Sequence, residues 1–139
     1  MKKDLTFAMI KPDTFKKDHT SDILLEILQA GFKIRAIKIT MLTLEKAEQF
    51  YEEHRGKEFF SRLTAFMSSG PVMALILEKP NAVEEFRKLI GKTDPQQAAE
   101  GTIRKKYAAS TTHNAVHGAD SPEHAEREWS FFFSKREIH

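Results

Sequence analysis

The stretch Leu5-Thr6-Phe7-Ala8-Met9-Ile10 is mostly apolar on both parities of an extended chain. Leu5, Phe7 and Met9 face one way, and Thr6, Ala8 and Ile10 face the other. A strand that must bury both faces belongs in the interior of a sheet. It ends at Lys11-Pro12, because proline cannot donate to a ladder and Pro12-Asp13 favours a turn.

The other elements have to be read as partners for this strand. Ile23, Leu24, Ile27 and Leu28 recur at helical spacing after a cap at Thr20 or Ser21, and Gly31 ends the helix. A second strand covers 32–40, where the polar set changes parity near Ala36-Ile37 as at a bulge. Thr43 caps a helix with Leu44, Ala47, Phe50 and Tyr51 that stops near Arg55-Gly56. A shorter striped helix follows over 59–67, and Val72 to Leu77 forms a third strand. Asn81 with Glu84 has the spacing of a capping box, opening a helix that carries Val83, Phe86, Leu89 and Ile90. Ser121 and Pro122 start a last helix as N-cap and first helical residue, and Trp129 to Phe133 reads as the fourth strand. This order predicts an α+β, ferredoxin-like βαββαβ sandwich with a four-stranded antiparallel sheet and an inserted helical pair. The long polar stretch from Gly91 to Asp120 departs from that economy, and long loops in compact domains are usually functional.

Composition narrows the class of protein. The 139 residues, with 40% hydrophobic and 30% charged side chains, correspond to one domain over 1–139. The longest aliphatic run, Val72 to Leu77, is too short to cross a bilayer, so no membrane partner is expected. Met1-Lys2-Lys3-Asp4 is not followed by a signal-peptide block, and a cytoplasmic location is expected. The absence of cysteine excludes disulfides and thiolate chemistry. A formal net charge of +2 makes no demand for nucleic acid.

The chemistry concentrates near Asn114-Ala115-Val116-His117-Gly118-Ala119-Asp120-Ser121. Imidazole is a good nucleophile close to neutral pH, and Gly118 removes a Cβ next to it, giving a bulky group room to approach the ring. The helix beginning at Ser121 offers a partial positive charge to anions. Lys11, at a strand end, can meet phosphate as a point charge or simply remain in solvent. Of Phe59-Phe60, one ring can enter the core while the other stays open as a stacking platform for any base. Gly91-Lys92-Thr93 lacks the upstream glycine of a P-loop. His113 and His117, or His124 and Glu128, have the spacing of a metal pair, but Gly118 and the restart at Ser121 break the helix, so no protein-bound metal is expected. His19, His54, His124 and His139 are expected in solvent.

Those eight residues around His117 resemble the active-site signature of the nucleoside diphosphate kinases, Asn-x-x-His-Gly-Ser-Asp-Ser, with Ala119 in place of the first serine. Ile10-Lys11-Pro12-Asp13 resembles a second family motif, although Thr14 replaces the usual glycine and Lys16-Lys17-Asp18-His19 a glycine-rich turn. Phe59-Phe60, Arg87-x-x-x-Gly91-x-Thr93-x-Pro95 and Gly101-Thr102-Ile103-Arg104 match further segments in the family's order. The resemblance runs from about Thr6 to Phe133. It implies that His117 takes the γ-phosphoryl of a nucleoside triphosphate on Nδ1 and passes it to a nucleoside diphosphate in a ping-pong cycle. By the same resemblance Glu128 bonds the other ring nitrogen, Tyr51 lies beside the ring, and Lys11 contacts the phosphoryl and ribose. Phe59 would stack the base, with Leu63 beside the slot. Arg87, Thr93 and Arg104 would hold the phosphates, and Asn114 the 3′ region of the ribose. The implied cofactor is Mg²⁺ carried by the nucleotide, and the implied assembly is a homo-oligomer, tetramer or hexamer. A non-catalytic nucleotide- or nucleic-acid-binding regulator on the same scaffold is the alternative, and a phosphocarrier is a third reading.

Overall fold

β1 (Leu5–Ile10) is hydrogen-bonded along both edges, which is why almost none of its residues can be polar. The structure is a computed structural model and describes residues 4–139. β2 (Lys33–Met41), β3 (Pro71–Glu78) and β4 (Val116–Gly118) complete an antiparallel sheet in the order β2-β3-β1-β4. The order places β1 and β3 inside and leaves β2 and β4 at the edges. The expected bulge in β2 is present as a register shift between Ile34 and Ala36.

Two apolar layers follow from the alternation along β1. Phe7 and Met9 point into a cluster with Phe50 of α3 (Leu44–Phe50), Met67 of α4 (Phe60–Met67), and Trp129 and Phe132 of the C-terminal helix. Ala8 and Ile10 face Ile23 and Ile27 of one helix, Phe86 and Ile90 of another, and Ile103. The helices on this second side are α2 (Thr20–Gln29), α5 (Ala82–Ile90) and the short α6 (Ile103–Tyr107). The α3–α4 pair inserted between β2 and β3 is the expected departure from the plain βαββαβ order.

Several local expectations need correction. Residues 129–133 are not the fourth strand: Trp129 to Phe132 complete α7 (Pro122–Phe132), Phe133 is its C-cap, and the strand is β4. The aromatic run has strand-like composition, but Ala125, Trp129 and Phe132 also share one helical face, and burial of that face decides the outcome. Pro12 opens the short helix α1 (Pro12–Lys16) instead of a turn, since proline at the first helical position has the required φ. Neither Thr20 nor Ser21 caps α2; His19 occupies the N-cap without a side-chain bond. Asn81 forms no capping box but enters α5 in the left-handed region at φ 58°, which asparagine tolerates. The expected caps at Thr43 and Ser121 are both made, each hydroxyl accepting a backbone N–H at 3.1 Å. Among the described residues, no helix is long and apolar enough to cross a membrane.

Candidate active site

His117 is carried by a strand, where the sequence pattern indicated a loop. β4 pairs with β1 so that His117 lies opposite Met9, which turns the imidazole toward the Phe7 side of the sheet. Phe7, Phe50 and Tyr51 surround the ring at centroid distances of 6.0, 5.5 and 6.1 Å. The Nε2 edge meets Oε1 of Glu128 at 2.8 Å, from a carboxylate that α7 keeps 8% exposed while the imidazole is 18% exposed. A carboxylate on one nitrogen fixes the tautomer and leaves the other nitrogen as the lone-pair site.

Gly118 has a different role from the expected one. A Cβ there would lie 3.0 Å from Ile90 Cδ1 and 3.0 Å from Phe86 Cδ2, on the opposite face from the imidazole. The glycine therefore lets β4 press against α5, while its backbone lines the cleft beside His117.

Lys11 follows β1 directly, and its side chain is buried beside the histidine's cleft. Burial, reinforced by the Arg104 guanidinium and opposed by Asp13, lowers its pKa to about 7. Arg104 comes from α6, where Thr102 caps the helix through its hydroxyl. Its Nη1 donates to the Gly91 carbonyl at 3.0 Å and its Nη2 to the Val116 carbonyl at 2.8 Å, one residue before His117. Burial and the neighbouring Arg87 bring Arg104 down to about 10, with a smaller opposing effect from Tyr51. The Tyr51 hydroxyl is buried without a hydrogen-bond partner, and burial together with the Glu128 carboxylate raises its pKa.

All nine residues singled out from the sequence line one cleft of about 490 Å³: Lys11, Tyr51, Phe59, Arg87, Thr93, Arg104, Asn114, His117 and Glu128. Phe59 is half-buried at the N-cap of α4 and Phe60 is buried, as the doublet required. Leu63 lines the same wall. Asn114 donates through Nδ2 to the Thr111 carbonyl at 2.9 Å, and its Oδ1 is buried without a partner. Side chains to which the sequence reading gave no role in the site also line the cleft, among them His54, Arg62 and Asp120. His54 is not simply solvated, because its ring packs between Tyr51 and Phe59 at 6.3 and 5.4 Å and its Nδ1 is buried. Arg62 could have been found from its spacing, since it follows Phe59 by one helical turn. His19 packs on Tyr107, His124 pairs with Asp120, and exposed His139 bonds the Arg35 carbonyl through its backbone. His113 stacks on Phe66 and not beside His117; among the described residues no trio of His, Asp or Glu could hold a metal ion.

The site is thus an imidazole aimed by a carboxylate, with Lys11, Arg87 and Arg104 around it and an open aromatic nearby. Cations converging on a nucleophile can compensate the charge of a phosphoryl group in transfer. A profile of the family described as "Nucleoside diphosphate kinase" matches residues 4–138. A nucleoside diphosphate kinase from Flavobacterium psychrophilum is 56% identical over 132 residues, 95% of each chain. One from Salinibacter ruber is 46% identical over 138 residues, 99% of this chain and 97% of the relative. A crystal structure of the Aquifex aeolicus nucleoside diphosphate kinase superposes with a TM-score of 0.95 at 42% identity, covering 98% of this chain and 99% of that one. The Halobacterium salinarum enzyme in complex with CDP superposes at 0.94 with 37% identity, covering 99% and 91%. With a profile spanning nearly every residue and relatives matched end to end, the chain is an enzyme of the nucleoside diphosphate kinase family.

Proposed function

We propose that the chain forms one catalytic domain that moves the γ-phosphoryl of a nucleoside triphosphate to a nucleoside diphosphate through a phosphohistidine at His117. The observation that carries this reading is the 2.8 Å contact between His117 Nε2 and Glu128, inside a cleft lined by Lys11, Arg62, Arg87 and Arg104. In the first half-reaction the Nδ1 lone pair forms the N–P bond while the bond from phosphorus to the bridging oxygen breaks, and the nucleoside diphosphate leaves with that electron pair. In the second, a terminal phosphate oxygen of another diphosphate forms the new P–O bond as the N–P bond breaks. One site serves donor and acceptor in turn, as covalent catalysis permits.

The remaining residues take roles that follow from chemistry and position. Glu128 holds the Nε2 proton and opposes the positive charge that the ring gains. Lys11, Arg87 and Arg104 face the polyphosphate, with Thr93 as a hydroxyl contact. Asn114 offers a carbonyl oxygen to the ribose 3′ hydroxyl, Tyr51 flanks the ring, and Phe59 stacks the base without choosing among bases. Mg²⁺ enters as part of the substrate, on polyphosphate oxygens, where it neutralises charge. The cleft fits a metal-bearing polyphosphate, since its lining sets Lys11, Arg62, Arg87 and Arg104 beside the carboxylates of Glu53, Asp120 and Glu128.

The same reading includes self-assembly. β2 is an edge strand, and Ile37, Ile39 and Met41 on it are 47%, 60% and 61% exposed, with Leu25 and Leu28 of α2 also exposed. An open, apolar sheet edge on a small protein is what a second copy covers in a two-fold dimer.

The test is incubation of the protein with γ-labelled triphosphate and Mg²⁺, followed by a chase with several diphosphates. The expected result is an acid-labile, base-stable label on His117 that every diphosphate discharges, and none in His117→Ala. Nucleotide binding without any protein label would overturn the mechanism and leave a binding module in its place.

A further inference from the structure

Ala115 adopts φ 73°, one of three non-glycine residues with positive φ among the described residues. The N–H of Val116 donates to the Asn114 carbonyl at 2.8 Å, so Ala115 is the centre of a γ-turn of the rare, strained hand. No glycine is there to make the conformation easy, and the position is almost fully buried. His117 follows two residues later, on a strand of only three residues that has few ladder bonds with which to fix its own register.

The strained residue is gripped from the far end of the sequence. Its N–H donates to Asp13 Oδ2 at 3.1 Å. Its carbonyl accepts from the Thr14 hydroxyl at 2.9 Å and from the Lys11 N–H at 2.9 Å. Asp13 and Thr14 lie in the first turn of α1 and are 7% and 2% exposed, so water does not compete for these bonds. A carboxylate, a hydroxyl and a backbone amide thus meet both backbone polar groups of one residue. The Thr14 bond needs a side-chain hydroxyl at that place.

We propose that Asp13 and Thr14 are positioning residues that hold Ala115 in the left-handed conformation and so set the depth and angle at which His117 enters the cleft. Released from the clamp, Ala115 would relax to negative φ and the peptide planes on either side would turn. β4 would then slide or tilt against β1. The inference rests on the phosphohistidine reading only for its kinetic readout, because the position of the ring can be observed independently of turnover.

The test uses the full chain and four variants: Thr14→Val, Asp13→Ala, and each combined with Ala115→Gly. Three quantities are measured: the single-turnover rate of His117 phosphorylation by Mg²⁺-ATP, the affinity for ADP, and the ¹⁵N shifts of the His117 ring nitrogens. Thr14→Val is expected to slow phosphorylation roughly three- to tenfold, the range of one net hydrogen bond. Asp13→Ala is expected to slow it ~10²-fold, as for a small misplacement of a reacting group. ADP affinity should change little, and the ring shifts should move with the rate. Ala115→Gly should restore most of both losses, since glycine takes positive φ unaided. Losses that glycine fails to rescue, or rates and ring shifts unchanged in the single variants, would overturn the clamp. If Asp13→Ala does not fold, the near-isosteric Thr14→Val pair decides. Should the parent protein accept no phosphoryl group, the proposed function falls, while ring shifts displaced by Asp13→Ala and returned by Ala115→Gly would still support the clamp.

Discussion

Lys11 is the residue whose charge depends most on what occupies the cleft. Burial beside Arg104 holds it down to about 7 against an ordinary 10.5, so the free protein carries a largely neutral amine at pH 8. The unfolded chain binds the extra proton between those two values, so the Lys11 contribution makes the free protein more stable as pH rises through that window. A polyphosphate brings the opposite influence, because an adjacent anion favours the ammonium form. Binding of Mg²⁺-ADP at pH 8 is therefore expected to take up about one proton per site, seen as a heat that varies with the ionisation enthalpy of the buffer. A Lys11→Ala protein should lose that dependence; a wild-type heat independent of buffer would mean Lys11 is already charged. Arg104 contributes differently, since two of its donors are engaged by backbone carbonyls and the residue braces β4 while lining the cleft.

Among the elements, β4 and its seat on α5 govern the site. The strand is short, and Gly118 brings it so close to Phe86 and Ile90 that an added methyl group would lie 3.0 Å from each and make them shift. Gly118→Ala is expected to destabilise the fold by about 1–3 kcal/mol, the usual range for overpacking a filled core. Urea unfolding at constant m-value measures this, and an unchanged midpoint would show that α5 can yield. At the end of α5, Gly91 has φ 88° and would place a Cβ 2.6 Å from the Thr102 hydroxyl oxygen. The chain can turn there into the long loop while its carbonyl receives Arg104. α7 supplies Glu128 and also Trp129 and Phe132, so the helix that aims the imidazole is anchored by the same core.

For the molecule as a whole, charge is nearly balanced at +2, and the positive character of the cleft comes from placement of cations, not from their excess. The exposed residues of β2 bear on assembly. Ile39→Lys is expected to convert the proposed oligomer to folded monomers, because a charge on an open edge resists pairing. Sedimentation with far-UV circular dichroism would check this, and an unchanged mass in the variant would move the interface away from β2. The cleft draws its walls from β4, four helices and the loops between elements, so phosphotransfer by the variant monomer would also show how much of the site one copy builds alone.

Periodicity and short motifs are local properties, and what they encode was readable in the chain. The two-sided strand at Leu5–Ile10, the stripe of Ile23 and Ile27, the bulge in β2 and the caps at Thr43 and Ser121 all lie within a few residues of their cause. The motif residues of the cleft could likewise be named from their resemblance to the family's motifs, although not their distances. Other features depend on partners far away along the chain. Val116–Gly118 is too short for a period-two pattern to register, and it is a strand only because β1 offers it an edge. The aromatic run at 129–133 fits strand or helix until one face is buried. The purpose of Gly118 is visible only against α5, and the grip on Ala115 spans 101 and 102 residues. Contacts of that separation form when the sheet closes, and they leave no repeating trace in the order of the residues.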